Sequence, residues 1–228
     1  MLRFEMRCFK INSKNLLLPF WVFVFVFLLS GCTSRQLMVV KPTGNSKAIL
    51  YFYENGQKLY ESSANIGRNG VALEGQKREG DGKTPSGIYK ISSLFSYDEH
   101  NATMPLIKAD KNIICVDDVN SPFYNRIIDM NENKKEYSSF EFMRRDDELY
   151  RYGALIDYNP SGVKNLGSCI FLHIRKNENA PTAGCIALDE KDMKTIFFML
   201  DNRKKPIIII AQDSDDFAKI LKEFSLTH

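Results

Sequence analysis

Apolar positions along this chain fall mostly in short β-prone runs, and only two segments carry them at clear helical spacing. Residues 48–53 (AILYFY) end at Asn55-Gly56, the dipeptide favoured in tight hairpin turns, so residues 58–66 read as the partner strand. Further short strands are predicted over 88–91, 112–116, 155–158, 168–173 and 206–211. Pro206 is tolerable because it opens the last of these. Met193, Ile196, Phe197 and Leu200 share one face of a predicted helix over 189–200, with Asp189 as its N-cap. Residues 213–224 repeat the pattern with Phe217, Ile220, Leu221 and Phe224. Residues 140–149 read as a weaker helix or turn. Residues 32–46 read as a tether, polar apart from Leu37-Met38-Val39-Val40. No internal repeat and no long Pro/Ser/Gly-rich linker divides the remainder. The pattern therefore predicts a single, mainly β domain with a few helices over 47–212, followed by a C-terminal helix in 213–228.

The longest apolar run, 16–29, belongs to a different kind of segment. Arg3, Arg7, Lys10 and Lys14 precede it and small residues follow it, the layout of an export signal. Leu29-Ser30-Gly31-Cys32 resembles the lipobox of bacterial lipoproteins. That resemblance implies a signal peptide over 1–31 and lipid on Cys32. With threonine rather than aspartate at position 33, it also implies a periplasm-facing protein anchored in the outer membrane. An uncleaved anchor or an ordinary signal peptide are the alternatives.

Charge supports the cut. The chain carries 31 Lys/Arg against 28 Asp/Glu, a formal charge of +3. The first 31 residues hold four of the bases and only Glu5 among the acids, so the rest is balanced. A balanced domain is not built to neutralise a nucleic-acid backbone. No paired Cys-x-x-Cys spacing suggests a metal. Residues 80–87 (GDGKTPSG) fail the phosphate-loop spacing and run into a strand, so they read as a turn.

The chemistry concentrates in residues 168–188. His173 closes an apolar run, and twelve residues later Cys185 follows Thr182-Ala183-Gly184. A thiol and an imidazole are the minimum parts of a cysteine nucleophile and its base. A glycine before the cysteine allows a sharp turn that aims backbone N–H groups at an oxyanion. Cys169, Phe171 and His173 alternate onto one strand face, and antiparallel packing against the Cys185 segment would join the two groups. The plain alternative is a buried structural thiol and a structural histidine. Cys115 and Cys169 sit in apolar strands, as core residues or as a disulfide pair in an exported protein.

Thr182-Ala183-Gly184-Cys185 resembles the Ser/Thr-x-Gly-Cys signature of the L,D-transpeptidase catalytic domain, the YkuD-like fold. Phe171-Leu172-His173 resembles the strand that carries that family's base. Residues 80–87 with Tyr89, residues 138–147 and Tyr158-Asn159 resemble further segments, in family order, over about 48–211. The resemblance implies a β-sandwich, no cofactor and no metal. It implies Cys185 as nucleophile, His173 as proton donor and acceptor, the Ile174 carbonyl as the imidazole's anchor, and Gly184 as an oxyanion contact. Thr182, Ala183, Tyr158, Asn159 and Arg144 would touch substrate. That substrate would be a peptidoglycan stem peptide, held as a thioester and passed to an amine. Ala183 and Ala187 stand where many members carry histidine and arginine. Two other outcomes therefore stay open: an L,D-carboxypeptidase or amidase using the same pair, and a silent peptidoglycan-binding lipoprotein.

Overall fold

The computed structural model describes residues 35–133 and 135–227; the expected signal peptide and Cys32 lie outside the described residues. The strands, in chain order, begin with β1 (Gln36–Gly44), β2 (Lys47–Glu54), β3 (Gln57–Asn65), β4 (Val71–Ala72) and β5 (Thr84–Pro85). Next come β6 (Gly87–Ser96), β7 (Leu106–Lys108), β8 (Ile113–Val116), β9 (Ile127–Asp129) and β10 (Phe140–Phe142). The last are β11 (Tyr152–Ile156), β12 (Phe171–Ile174), β13 (Ile186–Leu188) and β14 (Ile207–Ile210), with helices α1 (Glu190–Met199) and α2 (Ser214–Glu223).

Nine strands form one sheet in the order β11-β12-β13-β3-β2-β1-β14-β6-β7, and β11 also pairs with β6. That extra pairing closes the sheet on itself, so the mainly β expectation is met by a barrel-like sandwich with no free edge at β11. A second sheet has the order β10-β8-β9. The β2–β3 hairpin forms around Asn55-Gly56, with both turn residues at positive φ. Both helices form where expected. Asp189 caps α1 by accepting from the Lys191 N–H, and Asp213 caps α2 by accepting from Asp215 and Asp216.

The tether expectation is corrected over most of its length. Residues 36–44 form β1, which lies inside the sheet between β2 and parallel β14. Met38 and Val40 join the interior core with Leu50, Phe52 and Leu172, whereas Leu37 and Val39 pack against Phe217 and Ile220 of α2. A strand buried on both faces reads as an unbroken apolar run rather than an alternation. At roughly 1.5–3 kcal/mol for each fully buried aliphatic side chain, this strand is part of the core.

Three further expectations change. Residues 140–149 contain no helix: β10 pairs antiparallel with β8, and turns follow. β12 and β13 run parallel, with His173 opposite Ala187, not antiparallel. Cys169 precedes β12 and has φ 53°, so it is outside the strand. Beneath β12 the core is aromatic: Phe95 packs edge-on against Phe171 and Tyr150 at centroid distances of 5.4 and 5.6 Å. Gly153 faces His173 across the β11–β12 ladder, and a Cβ there would lie 2.0 Å from Phe95 Cζ. Only glycine lets the ring fill that space.

Candidate active site

The turn carrying Cys185 is fastened from two directions. The Thr182 N–H donates to the Ile66 carbonyl (3.0 Å), and the Thr182 carbonyl accepts from Arg68 (2.9 Å). Thr182 Oγ1 donates to the Cys185 carbonyl (2.6 Å) and accepts the Gly184 N–H (3.1 Å). Thr84 Oγ1, from β5, reaches the same Cys185 carbonyl (3.5 Å) and accepts the Gly67 N–H (2.9 Å). A Cβ on Gly67 would sit 2.4 Å from the Gly82 carbonyl oxygen, so the two loops meet only because residue 67 is glycine. Asp81 holds the 80–87 turn by accepting from the Arg78 and Lys83 N–H groups and from buried Lys77 Nζ (2.6 Å). The glycine-rich motif therefore buttresses the cysteine turn. In the resting site the Gly184 N–H, expected as an oxyanion contact, donates to Thr182 Oγ1.

His173 stands on β12 with its ring buried. Its Nδ1 lies 2.7 Å from the Ile174 carbonyl. A carbonyl only accepts, so Nδ1 carries the proton and the lone pair of the neutral ring sits on Nε2. Burial drives the imidazolium pKa down to about 4, against the opposing pull of the Ile174 hydrogen bond. The Cys185 thiol donates to the Cys169 carbonyl (3.3 Å), and its sulfur accepts the Phe171 N–H (3.3 Å). Burial first, then the charge of Glu141, push the thiol pKa up to about 12. The Phe171 N–H, Lys77 and Arg145 pull the other way. At neutral pH the resting pair is thus a thiol and a neutral imidazole, with no hydrogen bond between them. The thiol must leave the Cys169 carbonyl before His173 can take its proton.

Both groups line one cavity of about 380 Å³, together with Glu141, Arg145, Tyr150, Lys176, Thr182 and Ala183. Tyr150 donates its hydroxyl to Glu141 Oε2 (2.6 Å) and sets its ring edge-on to His173 (5.1 Å). A larger polar cleft of about 540 Å³, lined by Arg175, Asn177, Glu178 and Asp189, shares Leu149 and Lys176 with it. The backbone behind the thiol is cross-linked: Cys115 on β8 is disulfide-bonded to Cys169, whose carbonyl holds the thiol. Among the described residues Cys185 is the one free cysteine.

The sequence-predicted residues divide accordingly. Cys185, His173, Thr182, Ala183 and Ala187 converge on the cavity. Arg144 does not: its guanidinium covers the Tyr97 ring at 4.8 Å, and the neighbouring Arg145 faces the cavity. Tyr158 and Asn159 also lie elsewhere. Tyr158 donates to the Leu166 carbonyl and packs edge-on to Tyr89, and Asn159 donates to the Val163 and Gly167 carbonyls. They brace the 159–167 loop instead of meeting a ligand beside Cys185. Glu141, Tyr150 and Lys176 escaped the sequence reading, whereas Arg145 falls inside the 138–147 segment singled out there. Phe140-Glu141-Phe142 does alternate apolar and acidic, the one available signal that Glu141 belongs to a strand.

The YkuD family model, described as the L,D-transpeptidase catalytic domain, matches residues 35–209. No curated protein matches the chain. A crystal structure of Mycobacterium tuberculosis L,D-transpeptidase 1 is similar over 78% of this chain at 13% identity, with a TM-score of 0.36. The match spans 62% of the length of that protein.

Proposed function

This chain belongs to the L,D-transpeptidase catalytic domain family, and on that footing we propose that it is a cysteine acyltransferase acting on peptidoglycan stem peptides. The observation that carries this reading is the convergence of Cys185 and His173 on one cavity, with the imidazole lone pair left on Nε2. In this mechanism Nε2 takes the thiol proton as the sulfur attacks the carbonyl of an L,D peptide bond. The same proton then goes to the departing amine, leaving a thioester on Cys185. An acceptor amine next displaces the sulfur, forming a new amide and restoring the thiol. Arg145 and Lys176 line the cavity. Lys176 offers a cationic contact for a substrate carboxylate that Ala187 lacks, whereas Arg145 is held by Asp147. The lipobox-like Leu29–Cys32 stretch supports a periplasm-facing lipoprotein anchored in the outer membrane.

The test is incubation of the full chain with purified tetrapeptide muropeptides, followed by mass spectrometry. The expected result is a hydroxylamine-sensitive adduct on Cys185, lost in Cys185→Ala, and cross-linked dimers among the products. Tripeptide alone would establish the hydrolase instead. No adduct on a folded protein would leave peptidoglycan binding as the role and refute the enzyme reading.

A further inference from the structure

The cavity holds a carboxyl group that the dyad mechanism leaves without work. Glu141 lines it with Cys185 and His173. Tyr150 occupies Oε2 of Glu141 at 2.6 Å, and among the described residues no lysine or arginine forms an ion pair with this carboxylate. Arg145, which also lines the cavity, is committed to Asp147 through Nε–Oδ1 (2.8 Å) and Nη2–Oδ2 (2.6 Å) contacts. Glu141 is only partly buried, and Tyr150 is its one hydrogen-bond partner, on Oε2, so a cation entering the cavity can reach Oε1 and supply the charge that no ion pair provides.

Its position is built. Glu141 sits on β10 directly opposite Cys115 of β8. Cys115 is bonded to Cys169, and the Cys169 carbonyl holds the Cys185 thiol. One short covalent and hydrogen-bonded path therefore sets the acid relative to the nucleophile. Burial raises the Glu141 carboxyl pKa, and its charge is the second cause of the raised thiol pKa. A cation docked on Glu141 would stabilise the ionised carboxylate.

We propose that Glu141, aligned by Tyr150, is the docking point and proton acceptor for the primary ammonium group of the acceptor peptide. The inference rests on the thioester reading above. The ammonium transfers one proton to the Glu141 carboxylate and becomes a neutral amine. Its nitrogen attacks the thioester carbonyl carbon, a C–N bond forms and the C–S bond breaks. The second proton lost by nitrogen passes through His173 Nε2 to the departing sulfur, and Glu141 later returns its proton to solvent. Water as acceptor needs no such anion, so Glu141 favours transfer over hydrolysis.

Glu141→Gln tests this, because an amide oxygen still accepts from Tyr150 while the charge is gone. Titration calorimetry on the full chain would compare N-acetyl-lysine amide with its uncharged analogue, N-acetyl-norleucine amide. The wild type is expected to bind the lysine probe, Glu141→Gln to bind it at least about tenfold more weakly, and the norleucine probe to be indifferent to the substitution; a tenfold loss corresponds to about 1.4 kcal/mol. This readout needs no thioester, so it stands apart from the test of the enzyme reading. On preformed acyl-enzyme, Glu141→Gln should lower the ratio of aminolysis to hydrolysis about tenfold or more. Equal binding of the lysine probe by both proteins would overturn the proposal. So would a Glu141→Gln defect confined to thioester formation, which would assign the ammonium to the donor peptide instead.

Discussion

Removing the Cys115–Cys169 disulfide should cost this protein about 4 kcal/mol and disturb the nucleophile as well. The bond closes a loop of 54 residues. The chain-entropy relation gives about 14 cal/mol/K for a loop of that size, or about 4 kcal/mol at 25 °C. The substitution Cys115→Ala/Cys169→Ala removes the cross-link but leaves alanine in the left-handed region, since residue 169 has φ 53°. Cys115→Ala/Cys169→Gly removes the cross-link and relieves that strain, so it should recover about 1 kcal/mol relative to the double alanine variant. Urea denaturation at pH 7, followed by far-UV circular dichroism, measures all three proteins on one scale. The Cys169 carbonyl accepts from the Cys185 thiol, so both variants should also lose acylation at Cys185 in the muropeptide assay. A loss below about 1 kcal/mol in both variants would refute the reasoning, because the loop would then be closed in the unfolded chain by something other than the bond. Full stability loss with unchanged acylation would show that the Cys169 carbonyl does not position the thiol.

Other measurements probe the titrating pair and its support. His173 is lowered from 6.5 to about 4, so its contribution to stability is full above pH 6.5 and is lost as pH falls through 4. The loss is at most about 3 kcal/mol, and His173→Gln should be correspondingly less sensitive between pH 7 and 4; identical slopes in the two proteins would contradict the assignment. Cys185 is pushed up to about 12, so its alkylation by iodoacetamide should rise about tenfold per pH unit from 8 to 10 without levelling off, and a plateau near pH 7 would exclude a protonated resting thiol. Gly67→Ala should cost about 2–3 kcal/mol in thermal or urea unfolding, because its Cβ would meet backbone at 2.4 Å; a loss under about 0.5 kcal/mol would mean that the 66–68 and 82–84 segments separate freely.

The features legible in the sequence are those whose cause is local. Asn55-Gly56 dictates its own turn, and the 3.6-residue spacing in α1 and α2, with Asp189 and Asp213 as caps, needs no distant partner to be read. β1 was hidden because two partners bury opposite faces of one strand, which erases the alternation that marks a half-exposed strand. The parallel register of β12 and β13 was hidden for a related reason. Residues 175–185 carry the chain back across the sheet, held by Asn65 Nδ2 donating to the Asn177 and Ala180 carbonyls from β3. At the site, Cys185 and His173 were readable as reactive residue types within one short stretch. The charges around them were not: Glu141 and Arg145 come from the 138–147 segment and Lys176 from the loop after β12, and the shift from Arg144 to Arg145 is a change of one position that reverses which side chain faces the cavity. Burial holds both members of the dyad neutral, Glu141 adds to that effect at the thiol alone, and both causes arise from packing between distant segments. It follows that the identity of the reacting groups is a property of residues 171–185, whereas their resting protonation states are set by packing between segments far apart in the chain.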